Sequence, residues 1–197
     1  MKIIFIPAIS VLLLYACHSK QPEISADHSI QKDTLIKNYL PVADFLKTEI
    51  AAVDSLPLRL MRYRMVNGKT DSGIITTPVF DQIAKEFLMA DLDSSHFEKN
   101  FEENSFVDRS TNLVSFTYST KDTGYGLKRV DVLLSPGSGS EKLNSIYMEA
   151  ISGNSDSSVI SKMSWKAGRN LRILHIQKPK NGQEKTDQTI VVWDSRE

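Results

Sequence analysis

Several groups of side chains in this sequence have the types and spacing to do chemistry. Asp91-Leu92-Asp93-Ser94-Ser95, followed by Glu102, puts oxygen donors at positions 1, 3, 5 and 12 of a calcium-binding loop. Position 6 of such a loop must be glycine for its sharp turn, and here it is His96. A helix ending near Ala90 and another capped at Ser95 account for the same residues. Asp93 and His96 as a metal pair lack a third ligand at fixed spacing. His175 lies among Leu171, Ile173 and Ile176. A Ser–His–Asp set is recognised by geometry, which a sequence does not supply. There is no Gly-x-Ser-x-Gly elbow, and Gly137-Ser138-Gly139-Ser140 is a hairpin loop by position, so His175 reads as structural. Gly124-Tyr125-Gly126 ahead of Lys128 lacks the glycine spacing and strand–loop–helix setting of a phosphate cradle. It reads as a connection between strands.

Arg59, Arg62 and Arg64 form a basic group beside Tyr63. Interleaved basic and aromatic residues can bind nucleic acid, but a solvated strand face is the better account. Tyr118, Tyr147, Trp165 and Trp193 fall in stretches read as strands. Core packing is the default for such aromatics; sharing one open face, they would stack on sugar rings or line a groove for an acyl chain. They are the sequence's only pointer to a ligand surface. No catalytic residue, metal or cofactor is assigned.

The sharpest chemistry lies at the N-terminus. Lys2 precedes an apolar run from Ile3 to Ala16 that stops at Cys17, the single cysteine. A charged start, a short apolar stretch and a small residue at its exit form a secretory signal, and the run is short of the roughly 20 residues that span a bilayer. Leu14-Tyr15-Ala16-Cys17 resembles the lipobox of bacterial lipoproteins, although Tyr15 stands where a small or β-branched residue is commoner. The resemblance implies cleavage before Cys17 and acylation of that residue. It also implies an outer-membrane destination, because His18 is not the aspartate of inner-membrane retention. His18-Ser19-Lys20-Gln21-Pro22-Glu23 is a poor match to the acidic run of surface-exported lipoproteins, which favours the periplasmic face.

Without residues 1–16, and so without Lys2, the chain carries 23 Lys plus Arg against 24 Asp plus Glu. Such a balance gives no long-range field towards nucleic acid. Residues 17–37 read as the lipidated cysteine and a polar tether, with a span on the order of 25 Å. Residues 38–197 suffice for one core.

In that domain Phe45, Leu46, Ile50 and Val53 recur at helical spacing from Val42 to Leu56, with Asn38 as cap and Pro57 as stop. Leu58 to Val66 reads as a strand, Asn67-Gly68 as a turn and Gly73 to Thr76 as its return. A second helix opens at Thr77-Pro78, and a third runs from Ser95 through Glu103. From Leu113 onward strands alternate apolar and polar residues, separated by turns at Pro136–Gly139, Gly153-Asn154, Ala167-Gly168 and Asn181-Gly182. The expected class is α+β: N-terminal helices packed on a curved antiparallel meander of about six to seven strands.

The whole plan resembles the many small uncharacterised lipoproteins of Bacteroidota, in layout and texture. More distantly, helices on a curved antiparallel sheet look like periplasmic carriers of lipoproteins or hydrophobic ligands. The favoured function is a membrane-anchored, non-catalytic binding or interaction module for an envelope protein or other ligand. A carrier of a lipid or other apolar ligand is the alternative. A hydrolase would require His175 or His96 to reach a hydroxyl and a carboxylate in one cleft.

Overall fold

The computed structural model describes residues 39–92, 94–135 and 142–194, leaving aside the side chains of residues 94–96. The expected signal peptide (1–16), Cys17 and the tether (17–37), Asp93, the His96 side chain and the Pro136–Gly139 turn lie outside the described residues. The chain divides into two units, Met1–Lys37 and Asn38–Glu197, and the elements below belong to the second.

Helix α1, Val42–Ser55, buries Val42, Leu46 and Val53 on one face. Pro41 stands at its N-terminal boundary, and Leu56 is already extended ahead of Pro57, because a residue before proline is pushed out of the helical region. Strands β1 (Leu60–Val66) and β2 (Lys69–Ile75) meet at Asn67-Gly68, whose φ values are +47° and +82°. Two successive left-handed residues form the two-residue turn that matches strand twist. The return strand therefore begins at Lys69 rather than at Gly73. Helix α2, Thr77–Ala84, has Pro78 in its first turn and continues into a 3-10 turn at Lys85–Phe87. A second 3-10 turn, Ala90–Leu92, leads to α3, Ser94–Asn100. The third helix stops short of Glu103 because Glu102–Asp108 forms a strand, β3, that the sequence reading lacks. The remaining strands are β4 (Leu113–Ser119), β5 (Leu127–Ser135), β6 (Lys142–Gly153), β7 (Ser157–Lys166), β8 (Asn170–Pro179) and β9 (Lys185–Val192).

All pair antiparallel in one open sheet of nine strands, ordered β2-β1-β9-β8-β7-β6-β5-β4-β3. The expected six to seven strands are thus corrected to nine. Strands β3 to β9 form a meander in sequence order, and the early β1–β2 hairpin extends it by pairing with β9, Arg62 opposite Val191.

The register fixes one apolar row across the sheet: Val191, Leu171, Trp165, Ile146 and Val132, each opposite the next. The helices cover this inner face. Phe80 meets Trp165 and Trp193 edge-on at 6.2 and 5.6 Å, Phe87 meets Trp165 at 5.3 Å, and Phe97 lies 4.9 Å from Tyr118.

The β6–β7 turn depends on Gly153, at φ +143°, where an added Cβ would stand 2.2 Å from the Ser157 carbonyl oxygen. Gly153→Ala is expected to destabilise the domain by roughly 1–3 kcal/mol, the cost of forcing an L side chain into such backbone. An unchanged urea midpoint would refute this.

Candidate functional site

The four aromatics of the sequence reading do not share an open face. Tyr118 and Trp165 are fully buried and Trp193 is 9 % exposed. All three belong to the core beneath the helices. Tyr147 pairs with Asp131 and Ser164 on the opposite face of the sheet, where its hydroxyl donates to Glu149 at 3.1 Å. Of the four, Trp193 borders a cleft.

The loop candidates have structural partners. Asp91 accepts the Leu127 backbone N–H at 2.9 Å, which ties the second 3-10 turn to β5. Glu102 lies in β3. Lys128 Nζ donates to the carbonyls of Asp122, Thr123 and Tyr125, closing the β4–β5 connection. Among the described residues no group of three or more His, Cys, Asp or Glu is placed to hold a metal ion.

A polar corner does assemble, on the inner face where β1, β9, β8 and β7 run out beyond the apolar row. His175 stands directly opposite Asp187 on one side and Ser161 on the other. Arg64 reaches Asp187 with two bonds, Nε–Oδ1 at 3.1 Å and Nη2–Oδ2 at 2.6 Å. Arg62, two residues earlier and so on the same face, donates to Asp71 at 3.2 Å. Glu86, in the 3-10 turn after α2, lies 2.9 Å from His175 Nε2. His175 Nδ1 lies 2.9 Å from Ser161 Oγ. The imidazole thus ties the helical layer to the sheet. Its bond to Glu86 outweighs burial and raises its pKa above the ordinary value, while the Arg64 bond lowers that of Asp187.

Arg62 and Arg64 share one face of β1 and keep part of their surface in solvent, as expected of a solvated strand face, but Arg59 is not on it. Arg59 precedes β1, and Arg62 and Arg64 face the helical side, with Tyr63 on the reverse. The legible signal was the spacing of two in Leu60-Arg62-Arg64 and Leu171-Ile173-His175, where an apolar stripe turns polar.

Two clefts flank the imidazole. One, of about 330 Å³, is lined by Arg62, Arg64, Glu86, His175 and Asp187, together with apolar residues of α2. The other, of about 280 Å³, shares His175 and Asp187 and adds Lys185 and Gln177. A third cleft, of about 290 Å³, lies away from this corner, lined by Ala52, Val53, Leu56, Leu58 and Trp193 and by the carboxylates Glu49 and Asp194. At its edge Glu49 accepts the Gly168 N–H at 2.8 Å and the Trp165 indole N–H at 3.3 Å.

Ser161, His175 and Glu86 meet the reach that a hydroxyl–imidazole–carboxylate set requires. Oxyanion stabilisation normally comes from preorganised donors such as backbone N–H groups. Ser161 sits within β7, paired with Ala150 on one side and His175 on the other, so its own N–H is committed to the ladder. The corner as built brings a hydroxyl, an imidazole and opposed charges together. No family model matches the chain, and no curated protein or solved structure is significantly similar to it.

Proposed function

We propose that the protein is a small outer-membrane lipoprotein of the Bacteroidota type. In this reading acyl chains on Cys17 hold it on the periplasmic face, where it works as a non-catalytic binding module. The observation that carries the binding reading is the polar corner: two clefts meeting at His175 and Asp187, lined by opposed charges on a face whose remainder is packed with apolar side chains. Half-exposed ion pairs contribute little to stability, with a median of about 0–1 kcal/mol. Their concentration beside a cleft is better explained by recognition than by folding.

A carrier of a lipid or other apolar ligand is the second reading. The cleft at Leu56, Leu58 and Trp193 favours it, since small-molecule sites are concave and mostly apolar with few placed polar groups.

Native mass spectrometry of the protein extracted from its own membrane tests both. A bound species lost from Arg62→Gln but kept by Leu56→Ser supports the polar corner. The reverse pattern supports the carrier. Protein that emerges bare from every mild detergent overturns both.

A further inference from the structure

The polar corner concentrates opposed charges around one imidazole. The full sequence is formally neutral, with 24 Lys plus Arg against 24 Asp plus Glu. Among the residues lining the two clefts at His175, the cationic side chains are Arg62, Arg64 and Lys185, joined by His175 when protonated, while the carboxylates are Glu86 and Asp187. With Asp71, which pairs with Arg62, three fixed cations face three carboxylates, and protonation of His175 tips the balance towards cations.

The cations are also unequally committed. Arg64 is held bidentately by Asp187, which fixes its guanidinium. Arg62 has a single bond to Asp71, whose side chain is 73 % exposed on the edge strand β2, and the Arg62 Nε is buried without an acceptor. A solvated single contact is readily exchanged, whereas an arginine fork matches the two oxygens of a carboxylate or phosphate.

We propose that this corner binds a ligand through an anionic group, a carboxylate or a phosphate, with Arg62 as its principal anchor, Arg64 as a flanking donor and the charge of the protonated His175 beside them. The proposal rests on the binding-module reading and names the chemistry its ligand must carry. Asp71 swings to solvent as the anion takes its place. Glu86 and Asp187 keep the remaining positive charge low, so that an anion is admitted without a broad basic surface that would take any polyanion.

Proton linkage follows from the neighbours of His175. Glu86 faces it from the helical layer, Asp187 and Lys185 from β9, Arg64 from β1 and the uncharged Ser161 from β7. The Glu86 bond favours the charged imidazole, so His175⁺ is present below its raised pKa and lost as pH rises through it. Anion affinity should therefore fall across that rise. Asp187 acts in the opposite sense: its stabilising charge is present above the ordinary carboxylate range and lost as pH falls through its lowered pKa.

The test is side-chain NMR of the full-length protein, following the His175 ring and Arg62 guanidinium signals. Inorganic phosphate, acetate, choline and glycerol are titrated against chloride at matched ionic strength, at about pH 5.5 and about pH 8.5, on either side of the histidine range. Phosphate or acetate should shift both signals saturably, acetate, which is ionised at both pH values, more tightly at the lower pH, and whichever binds better identifies the headgroup chemistry. Arg62→Gln should weaken binding about tenfold or more, the equivalent of roughly 1.4 kcal/mol. His175→Gln should abolish the pH dependence of acetate binding while leaving its alkaline affinity; phosphate, which itself takes up a proton between the two pH values, is compared at each pH alone. Arg62 is the preferred variant because its partner is solvent-exposed and folding is spared. Failure of both anions to shift these signals overturns the proposal. Saturable binding of choline or glycerol at the corner overturns the anionic class alone and leaves the binding-module reading standing.

Discussion

Trp165→Ala should cost the domain about 3–5 kcal/mol, the range for truncating a buried large aromatic, and so a large part of a typical total stability of 5–15 kcal/mol. Trp165 is fully buried at the centre of the inner face. Its ring meets Phe80, Phe87 and Trp193, with centroids 6.2, 5.3 and 5.4 Å away. It therefore joins α2, the 3-10 turn that follows and the end of β9 to one strand. The indole N–H also donates to Glu49 of α1, so truncation removes packing and a polar tie between helix and sheet together. Trp165→Phe separates the two: it keeps most of the ring contact, deletes the donor and should cost markedly less. Urea unfolding followed by far-UV circular dichroism gives both values. An alanine variant within about 1 kcal/mol of the parent would mean that the helices do not seal this face, and the carrier reading would then gain an internal cavity.

Helix starts and stops were legible where a residue type forces them. Pro57 ends α1, Pro78 opens α2, and Asn67-Gly68 imposes the hairpin turn because both residues accept positive φ. The meander from β4 to β9 was equally plain, since alternating side chains and short turns leave little choice but antiparallel neighbours. Strand β3 was not. Glu-Glu-Asn-Ser-Phe-Val-Asp is polar, and as an edge strand it has a neighbour on one side only, so burial never imprints an alternating pattern on it; Phe106 and Val107 remain 66 % and 55 % exposed. The β1–β9 pairing was hidden for another reason. It joins segments more than a hundred residues apart, and no local pattern records which edge an early hairpin will extend.

The candidate site divides the same way. Alternation shows that His175 continues the face of Leu171 and Ile173, and that Arg62 and Arg64 continue the face of Leu60. It does not say that this face is the one the helices cover, nor that Glu86 will come from the helical layer to meet the imidazole. Those facts depend on the order of strands in the sheet. The aromatics carry core packing as their default reading, and three of the four are the core; the alternative of a shared open face needed them all on one exposed side.

The largest effect expected anywhere in the chain is on location. Replacing Cys17 by Ser should remove palmitate incorporation and release the protein from the membrane, provided the signal is still cut. Each buried methylene is worth about 0.8 kcal/mol, and two or more chains give stable anchoring where one does not. On the lipoprotein reading, loss of the acylated sulfur should therefore move the protein from the membrane to the soluble fraction. Serine alone leaves an ambiguity, because an uncut apolar run from Ile3 to Ala16 would itself hold on to the bilayer. Adding Leu14→Ala beside Tyr15 and Ala16 restores the small-x-small pattern that an ordinary signal peptidase cuts, so the double variant is exported without lipid. It should appear in the periplasmic fraction at the size of the mature chain. Should parent and double variant partition identically, with no label in either, neither acyl chains nor a retained signal accounts for membrane binding. The polar corner would then have to be understood without a bilayer beside it.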